Sequence, residues 1–423
     1  MWEKLRRIWK IKDLRKRIIF VLFLFVIFRL TAHIPIPGVN TENLARFLEG
    51  NQILGLLNLF SGGTMENFSI VMLGIAPYIT SSIIFQLLGM VIPSLEELTK
   101  EGESGQQKIN MYTRLTTVPL AFLQSFAMIR LLSSSQYEIL GTLDLYRYIS
   151  IMIMITAGTI FLMWIGELIS EKHIGNGISL IIFAGIVAAL PSALQQVIVN
   201  YDPSQLYMYM MFLAMAIITV VAVVIINEGQ RDIPVSYAKQ VRGNHVFGGN
   251  TSHLPLRLNM AGVIPIIFAI SVVLFPSMIA QFFVNGSGFM ARASQAVITL
   301  FNNQWFYGIT YFLLVFGFTY FYTAVIFQPQ KMAENLQRQG AFIPGIRPGK
   351  ETEKYLQITM SKLLFSGALF LGLVAILPLI VQAFTGSQSL VIGGTSLLIV
   401  VSVAIDSTKQ IESQVKMHEY DRV

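Results

Sequence analysis

Residues 52–92, QILGLLNLFSGGTMENFSIVMLGIAPYITSSIIFQLLGMVI, hold two apolar runs of unequal length, and the inequality decides the fold. The second run, about 70 to 92, carries no charge and is long enough to cross a bilayer. A helix needs about 20 apolar residues, at roughly 1.5 Å each, to traverse about 30 Å of hydrocarbon. The first run, Gln52 to Phe60, is only nine residues long and ends in Ser61-Gly62-Gly63. It cannot span, and irregular backbone has no place among lipid tails. Two placements remain open: a half-inserted segment enclosed by protein, or a short helix lying on the outer leaflet.

Outward from this stretch the same pattern recurs. Apolar runs of spanning length lie at about 18 to 36, 115 to 132, 148 to 166, 178 to 198, 206 to 226, 260 to 284, 305 to 327, 363 to 384 and 389 to 405, ten spans with the run at 70 to 92. Composition agrees, with 54% hydrophobic and 13% charged residues. A soluble domain carries about 25% charge, so a water-soluble globular enzyme is excluded. The 423 residues could make two or three soluble units, but apolar runs spread from end to end fit one all-α polytopic membrane domain. The first run follows a basic stretch yet ends in His33-Ile34-Pro35-Ile36-Pro37 without a small-x-small cleavage site, and is read as retained.

An even number of spans puts both termini on one side, and charge says which. Of the 30 Lys and Arg, all but Arg29, Arg46, Arg130, Arg147 and Arg292 fall in residues 1–17, the loops near 93–114, 167–177, 227–257 and 328–362, and the tail 406–423. That asymmetry places those segments and both ends in the cytoplasm of the cell. The expected organisation is a cytoplasmic N-terminal segment 1–17, a five-span half 18–198 with the short segment at about 52–66, a second half 206–405, and a cytoplasmic tail. The loops 227–257 and 328–362 exceed what a connection needs, which points to function.

Ion-coupled transport needs ionisable side chains near the bilayer midplane, and this chain has none there. Arg29, Arg130, Glu167 and Lys362 fall near span ends, where long side chains can reach the interface. The interior polar residues are hydroxyls and amides such as Thr80, Ser81, Gln86, Gln124 and Thr156. An inverted-repeat transporter of a small solute would predict a midplane charge or a compact polar cluster, and an intramembrane protease would need a base in a span. His33, His173, His245, His253 and His418 all lie outside the spans. Cysteine is absent, as are H-E-x-x-H, G-x-x-x-x-G-K-[ST] and G-x-S-x-G, so no metal, cofactor, nucleotide or catalytic site is expected. Glycine and proline inside the spans suggest deformable helices, and five spans on each side of residue 200 permit two inverted halves.

Eight ordered strings go further: PIPGV at 35–39, LFSGG at 59–63, GIAPYI at 74–79, EGESG at 101–105, IGNGISLIIFAG at 174–185, LNMAGVIPI at 258–266, GAFIPGIRPG at 340–349 and GGTSLLI at 393–399. Together they closely resemble the SecY family of bacterial protein-translocation channel subunits, over about residues 15 to 410. The resemblance implies an hourglass pore between two pseudo-symmetric five-helix halves, closed at the waist by an aliphatic ring of Ile75, Ile79, Ile178, Ile182, Ile267 and Ile399. Such a ring would hold ions back by dewetting, and the i,i+4 pairs 75/79 and 178/182 would each share one helix face. It also implies a plug built from Leu57, Asn58, Leu59, Phe60, Ser61, Gly62 and Gly63, which places the short segment in a cavity.

A lateral gate of Thr80, Gln124 and Asn259, held by hydrogen bonds of about 0.6 kcal/mol each, would open to lipid. Arg347, Lys350, Arg231, Lys239, Arg242 and Arg257 on the long loops would dock the SecA motor ATPase or the rRNA of a translating ribosome. The family works with SecE and SecG, draws its energy from such a motor or ribosome, and passes secretory polypeptides across, or membrane helices into the lipid of, the bacterial inner membrane.

Overall fold

The computed structural model describes residues 9–49, 58, 61–133, 139–141, 144–199, 203, 206–237, 240–242, 245–247, 251–284, 288–385 and 389–420. Each of the ten expected spans falls on one helix. These are α1 (Lys12–Ala32), α3 (Ala76–Val91), α5 (Glu103–Ser133), α6 (Leu145–Ser170), α7 (Gly177–Val199), α8 (Leu206–Glu228), α9 (Ile264–Phe283), α11 (Gln304–Ile326), α13 (Lys350–Thr385) and α14 (Ser389–Tyr420). Shorter helices join them: α2 (Thr41–Glu49), α4 (Pro93–Lys100), α10 (Phe289–Asn302) and α12 (Pro329–Arg338).

Among the described residues five helices are long and apolar enough by themselves to cross a membrane, with a sixth if α3 and α4, bent by 101° at Ile92, count as one span. The apolar stretches of α7 and α9 are shorter, Gly177–Pro191 and Ile264–Ser277. Helices α1 and α14 run charged ends into the same continuous helix, as Lys12, Arg17, Lys409 and Glu412 show.

The helices bury one side and leave the other to lipid. On α8 the residues Leu213, Ile217, Val221 and Ile225 are all more than half exposed at i,i+4 spacing, a stripe that water would not tolerate and acyl chains would. The buried sides converge on one apolar cluster that takes residues from α1, α3, α6, α7, α9, α11, α13 and α14. Within the first half α5 packs on α3 and α6, and α6 on α7; within the second, α13 packs on α11 and α14, and α14 on α8. The halves meet along two seams, α9 against α3 and α5, and α14 against α7.

The structure corrects one reading and fills in another. The second span does not begin at residue 70: residues 70–75 are turns, and the helix starts at Ala76. Pro77 near its start sets the limit, because a proline ring clashes with the carbonyl four residues earlier, and Gly74 turns the chain at φ +57°. The long loops, read as too long for mere connections, fold together, the first as β-strands and the second as α12, a two-residue strand and the start of α13. Strands β1 (Gln230–Tyr237), β4 (Thr251–Arg257) and β5 (Ala341–Phe342) form an antiparallel sheet in the order β4-β1-β5, with β2 (Gln240–Arg242) and β3 (His245–Phe247) as a separate hairpin. Ile233 pairs with Leu254, and Tyr237 with Ala341, so both loops belong to one unit. Ile233, Val235, Leu256, Ile343, Leu356 and Met360 give that unit its own core against α12 and the start of α13.

Candidate functional site

The six isoleucines come from both halves and lie in the one central cluster. Ile75, Ile79, Ile182, Ile267 and Ile399 are buried, and Ile178 is half-buried. Ile75 departs from the shared-face expectation: it is the N-cap of α3, outside the helix, and its carbonyl accepts the Ile79 N–H at 3.0 Å. Ile79, Ile178 and Ile267 form part of the wall of a cavity of about 70 Å³ that Ser82, Gln86, Asn176, Ser179 and Tyr322 also line. The Gln86 amide donates to the Ser82 hydroxyl at 3.1 Å, while its carbonyl oxygen has no partner. A cavity with both polar and apolar walls is thereby built from α3, α7, α9 and α11. Its volume suits a few waters, at about 30 Å³ each in the liquid, and no polypeptide.

On another side of the cluster lies the segment after the short apolar run. Leu57, Leu59 and Phe60 lie outside the described residues, whereas Asn58, Ser61 and Thr64 are buried. Asn58 organises the turn: its side-chain oxygen accepts the Met65 N–H at 3.1 Å, its amide donates to Glu66 at 2.7 Å, and its carbonyl accepts the Gly63 N–H at 2.8 Å. Ile36 N–H to Phe68 O, at 2.9 Å, and Ile70 N–H to Ile34 O, at 3.1 Å, tie the return strand to the PIPGV stretch.

Gly62 and Gly63 both hold left-handed backbone, at φ +79° and +76°. Gly62 also meets α7 backbone to backbone: a Cβ there would lie 2.7 Å from the Gly185 Cα. The Arg29 guanidinium donates to the Gly62 carbonyl at 2.9 Å, so α1 also holds this turn. Gly62→Ala is expected to unseat the segment, because neither the strained φ nor a backbone clash can be relieved by a rotamer change. The strain is roughly 1–3 kcal/mol, read as a raised resting ion leak across vesicles. Gly63→Ala, with no atom within 4 Å of its Cβ, should leak less.

The three residues expected at a lateral gate are not joined. Thr80 donates its hydroxyl to the Ala76 carbonyl of its own helix at 3.0 Å, and Gln124 is buried on α5. Asn259 lies before α9 and donates to Asn227 Oδ1 at 2.8 Å and to the Gly262 carbonyl at 3.1 Å. Among the described residues no hydrogen bond links the three. A hydroxyl within a helix satisfies itself on the preceding turn, and the Asn259 amide is taken up by Asn227 and Gly262.

What Asn259 does join is a network that sequence reasoning missed. The Asn227 amide donates to Ser402 at 2.9 Å, and Lys409 bonds the Asn227 carbonyl at 3.0 Å and pairs with Glu228 at 2.9 Å. Only the polar Asn227-Glu228 pair closing an apolar run hinted at it. Asn259→Ala would leave buried amide groups short of a partner at about 1–3 kcal/mol. A lower thermal midpoint of the purified chain in detergent is the expected result, with no change at an exposed control such as Gln295→Ala.

Of the basic residues, Arg231, Arg257, Arg347 and Lys350 are exposed around the β4-β1-β5 sheet. Lys239 lies outside the described residues, and Arg242 is on β2. Arg347 is held on a defined turn between β5 and α13. Ile343 anchors the turn in the sheet core, Ile346 N–H bonds Ile343 O at 3.0 Å, and the Thr352 hydroxyl bonds the Arg347 carbonyl at 2.9 Å. Gly345 and Gly349 supply the left-handed positions at φ +83° and +97°.

Two sets of apolar helices whose buried sides meet in one cluster define a multi-pass membrane protein. Its likeness to a solved structure described as a protein conducting channel has a TM-score of 0.64 at 17% identity, covering 93% of this chain and 90% of that one. Sec61 in the canine ribosome-channel complex from the endoplasmic reticulum gives a TM-score of 0.59 at 16% identity, covering 93% and 90%. The model of the SecY family matches residues 69–408. The protein translocase subunit SecY of Halalkalibacterium halodurans is 43% identical over 430 residues, with 99% of each chain covered. The chain belongs to the SecY family.

Proposed function

We propose that this chain is the central, pore-forming subunit of a protein-conducting channel. It passes unfolded secretory polypeptides across a bacterial cytoplasmic membrane and releases signal or transmembrane helices sideways into lipid. The observation that carries this reading is the union of isoleucines from both halves in one apolar cluster, three of them in the wall of a part-polar cavity, where aliphatic side chains can seal a path and a moving chain can part them. Aliphatic walls offer a passing peptide no fixed hydrogen bonds, which suits a conduit for many sequences. Leu57 to Gly63 serve as the plug, with Gly62 held by Gly185 and Arg29.

The seam of α9 on α3 and α5 is the natural place for sideways release. Both termini face the cytoplasm, on the side of the sheet. The sheet and the Arg347 turn form the docking surface for the SecA motor or a translating ribosome, either of which supplies the energy. SecE clamps the two halves from outside, with SecG as a further subunit.

The test is ATP-dependent import of a precursor into proteoliposomes holding this chain with SecE, with and without SecA. Motor-dependent import is the expected result. Folded, correctly oriented protein that imports nothing under any of these conditions would overturn the reading.

A further inference from the structure

Helix α10 is a part of the molecule that the channel reading leaves without a task. It joins α9 to α11 at the end of the bundle opposite the sheet and packs on both. Its surface divides into three sectors. One, around Ser294, is buried against the bundle, with Ile298 half-buried beside it. A second is apolar and open: Phe289 is 84%, Met290 63% and Leu300 50% exposed. The third holds Arg292, Gln295, Thr299 and Asn302, all exposed. At 100° per residue the centres of the open apolar sector and the polar sector lie about 140° apart around the helix, the pattern of a helix lying in a membrane interface.

The neighbouring helix fixes its depth. Asn303 caps α11 directly after α10, accepting the N–H groups of Trp305 and Phe306 at 3.0 and 3.3 Å, and the rings of Phe301 and Phe306 meet edge to face at 5.3 Å. This corner holds α10 at the very start of α11. From there Trp305, Ile309 and Leu313, 72%, 59% and 60% exposed, run down α11 at i,i+4 spacing as a lipid-facing stripe. A tryptophan at the head of such a stripe marks the interface level.

We propose that α10 is an interfacial anchor in the leaflet opposite the sheet, its Phe289, Met290 and Leu300 sector toward acyl chains and its Arg292, Gln295 and Thr299 sector toward headgroups and water. It thereby couples lipid packing to α9 and α11 together. The chain has no cysteine, so single labelling sites can be added at exposed positions without background. The full chain is reconstituted in vesicles of phosphatidylethanolamine and phosphatidylglycerol, with a nitroxide at Phe289→Cys, Leu300→Cys, Gln295→Cys or Thr299→Cys in turn.

Collisions with oxygen and with a water-soluble nickel chelate are then compared. The expected result is an oxygen-to-nickel ratio several-fold higher at 289 and 300 than at 295 and 299. Equal nickel access at all four sites would mean that the helix stands in water and would overturn the proposal. Weak collisions with both reagents at 289 and 300 would mean that protein covers the face, and would overturn it as well.

Discussion

Ile75→Asn and Ile399→Asn, one in each half, are expected to raise the resting ion conductance of the reconstituted channel by about tenfold or more and to loosen its selection of signal sequences. Both side chains are almost completely buried in the apolar cluster that is proposed to hold the seal. A dry aliphatic constriction excludes ions because water is unstable in it. An amide there supplies donors and acceptors that hold water, and lowering the barrier by about 1.4 kcal/mol is enough for a tenfold rise. The same change destabilises the closed state by leaving polar groups with too few partners, at about 1–3 kcal/mol each, so weaker signals would open it.

Ile267→Leu should behave differently. It keeps volume and apolarity, a swap that usually costs under about 1.5 kcal/mol, and should leave the leak near its resting level. Single-channel recording or dye efflux separates the cases. Asparagine variants as tight as the parent chain would keep the channel and discard these residues as its seal.

How far the sequence carried can be judged from particular residues. Spans were legible wherever an uncharged run was long, as in α6, since burial on one side and lipid on the other both select apolar residues and the run is continuous. The start of α3 was not, because Ile70 to Ile75 are as apolar as the helix they precede; Gly74 and Pro77 held the stop signal that hydropathy overrode. The sheet escaped for a different reason. Its strands alternate over only a few residues, as in Ile233, Pro234 and Val235, and β1 finds β5 some hundred positions later in the chain. A pairing that remote leaves no local periodicity.

The ring residues were placed by resemblance, and the structure sets all six in one cluster. Thr80, Gln124 and Asn259 were placed the same way, yet hydrogen bonds scatter them. A motif locates a residue along the chain, while its hydrogen-bond partner depends on which elements pack beside it, and Asn259 meets Asn227 at the end of α8. Arg29, read from the sequence only as a span-end residue, also bonds the Gly62 carbonyl, a partner 33 positions away that local pattern does not reveal.

Arg347→Glu is expected to reduce motor-driven import by about 30-fold or more while leaving the folded yield and thermal midpoint unchanged. The side chain is exposed and spends nothing on the fold, and surface substitutions of this kind usually shift stability by less than about 0.5 kcal/mol. The turn itself depends on the backbone: the Thr352 hydroxyl holds the Arg347 carbonyl, and Ile343 holds the strand below, so both survive the change. What is reversed is the charge presented to the docking partner. An arginine at the centre of an interface typically contributes about 2 kcal/mol or more, which is about 30-fold in affinity.

Reversal adds repulsion to that loss wherever the partner is an acidic surface or a phosphate backbone. Arg231→Glu and Arg257→Glu, exposed on the same sheet but not on the pinned turn, should cost only a few-fold and should soften with salt, as expected of rim charges. Normal import by the Arg347→Glu channel would remove the turn from the docking surface. A fall of equal size in all three variants would point instead to a diffuse electrostatic attraction, with no privileged contact at Arg347.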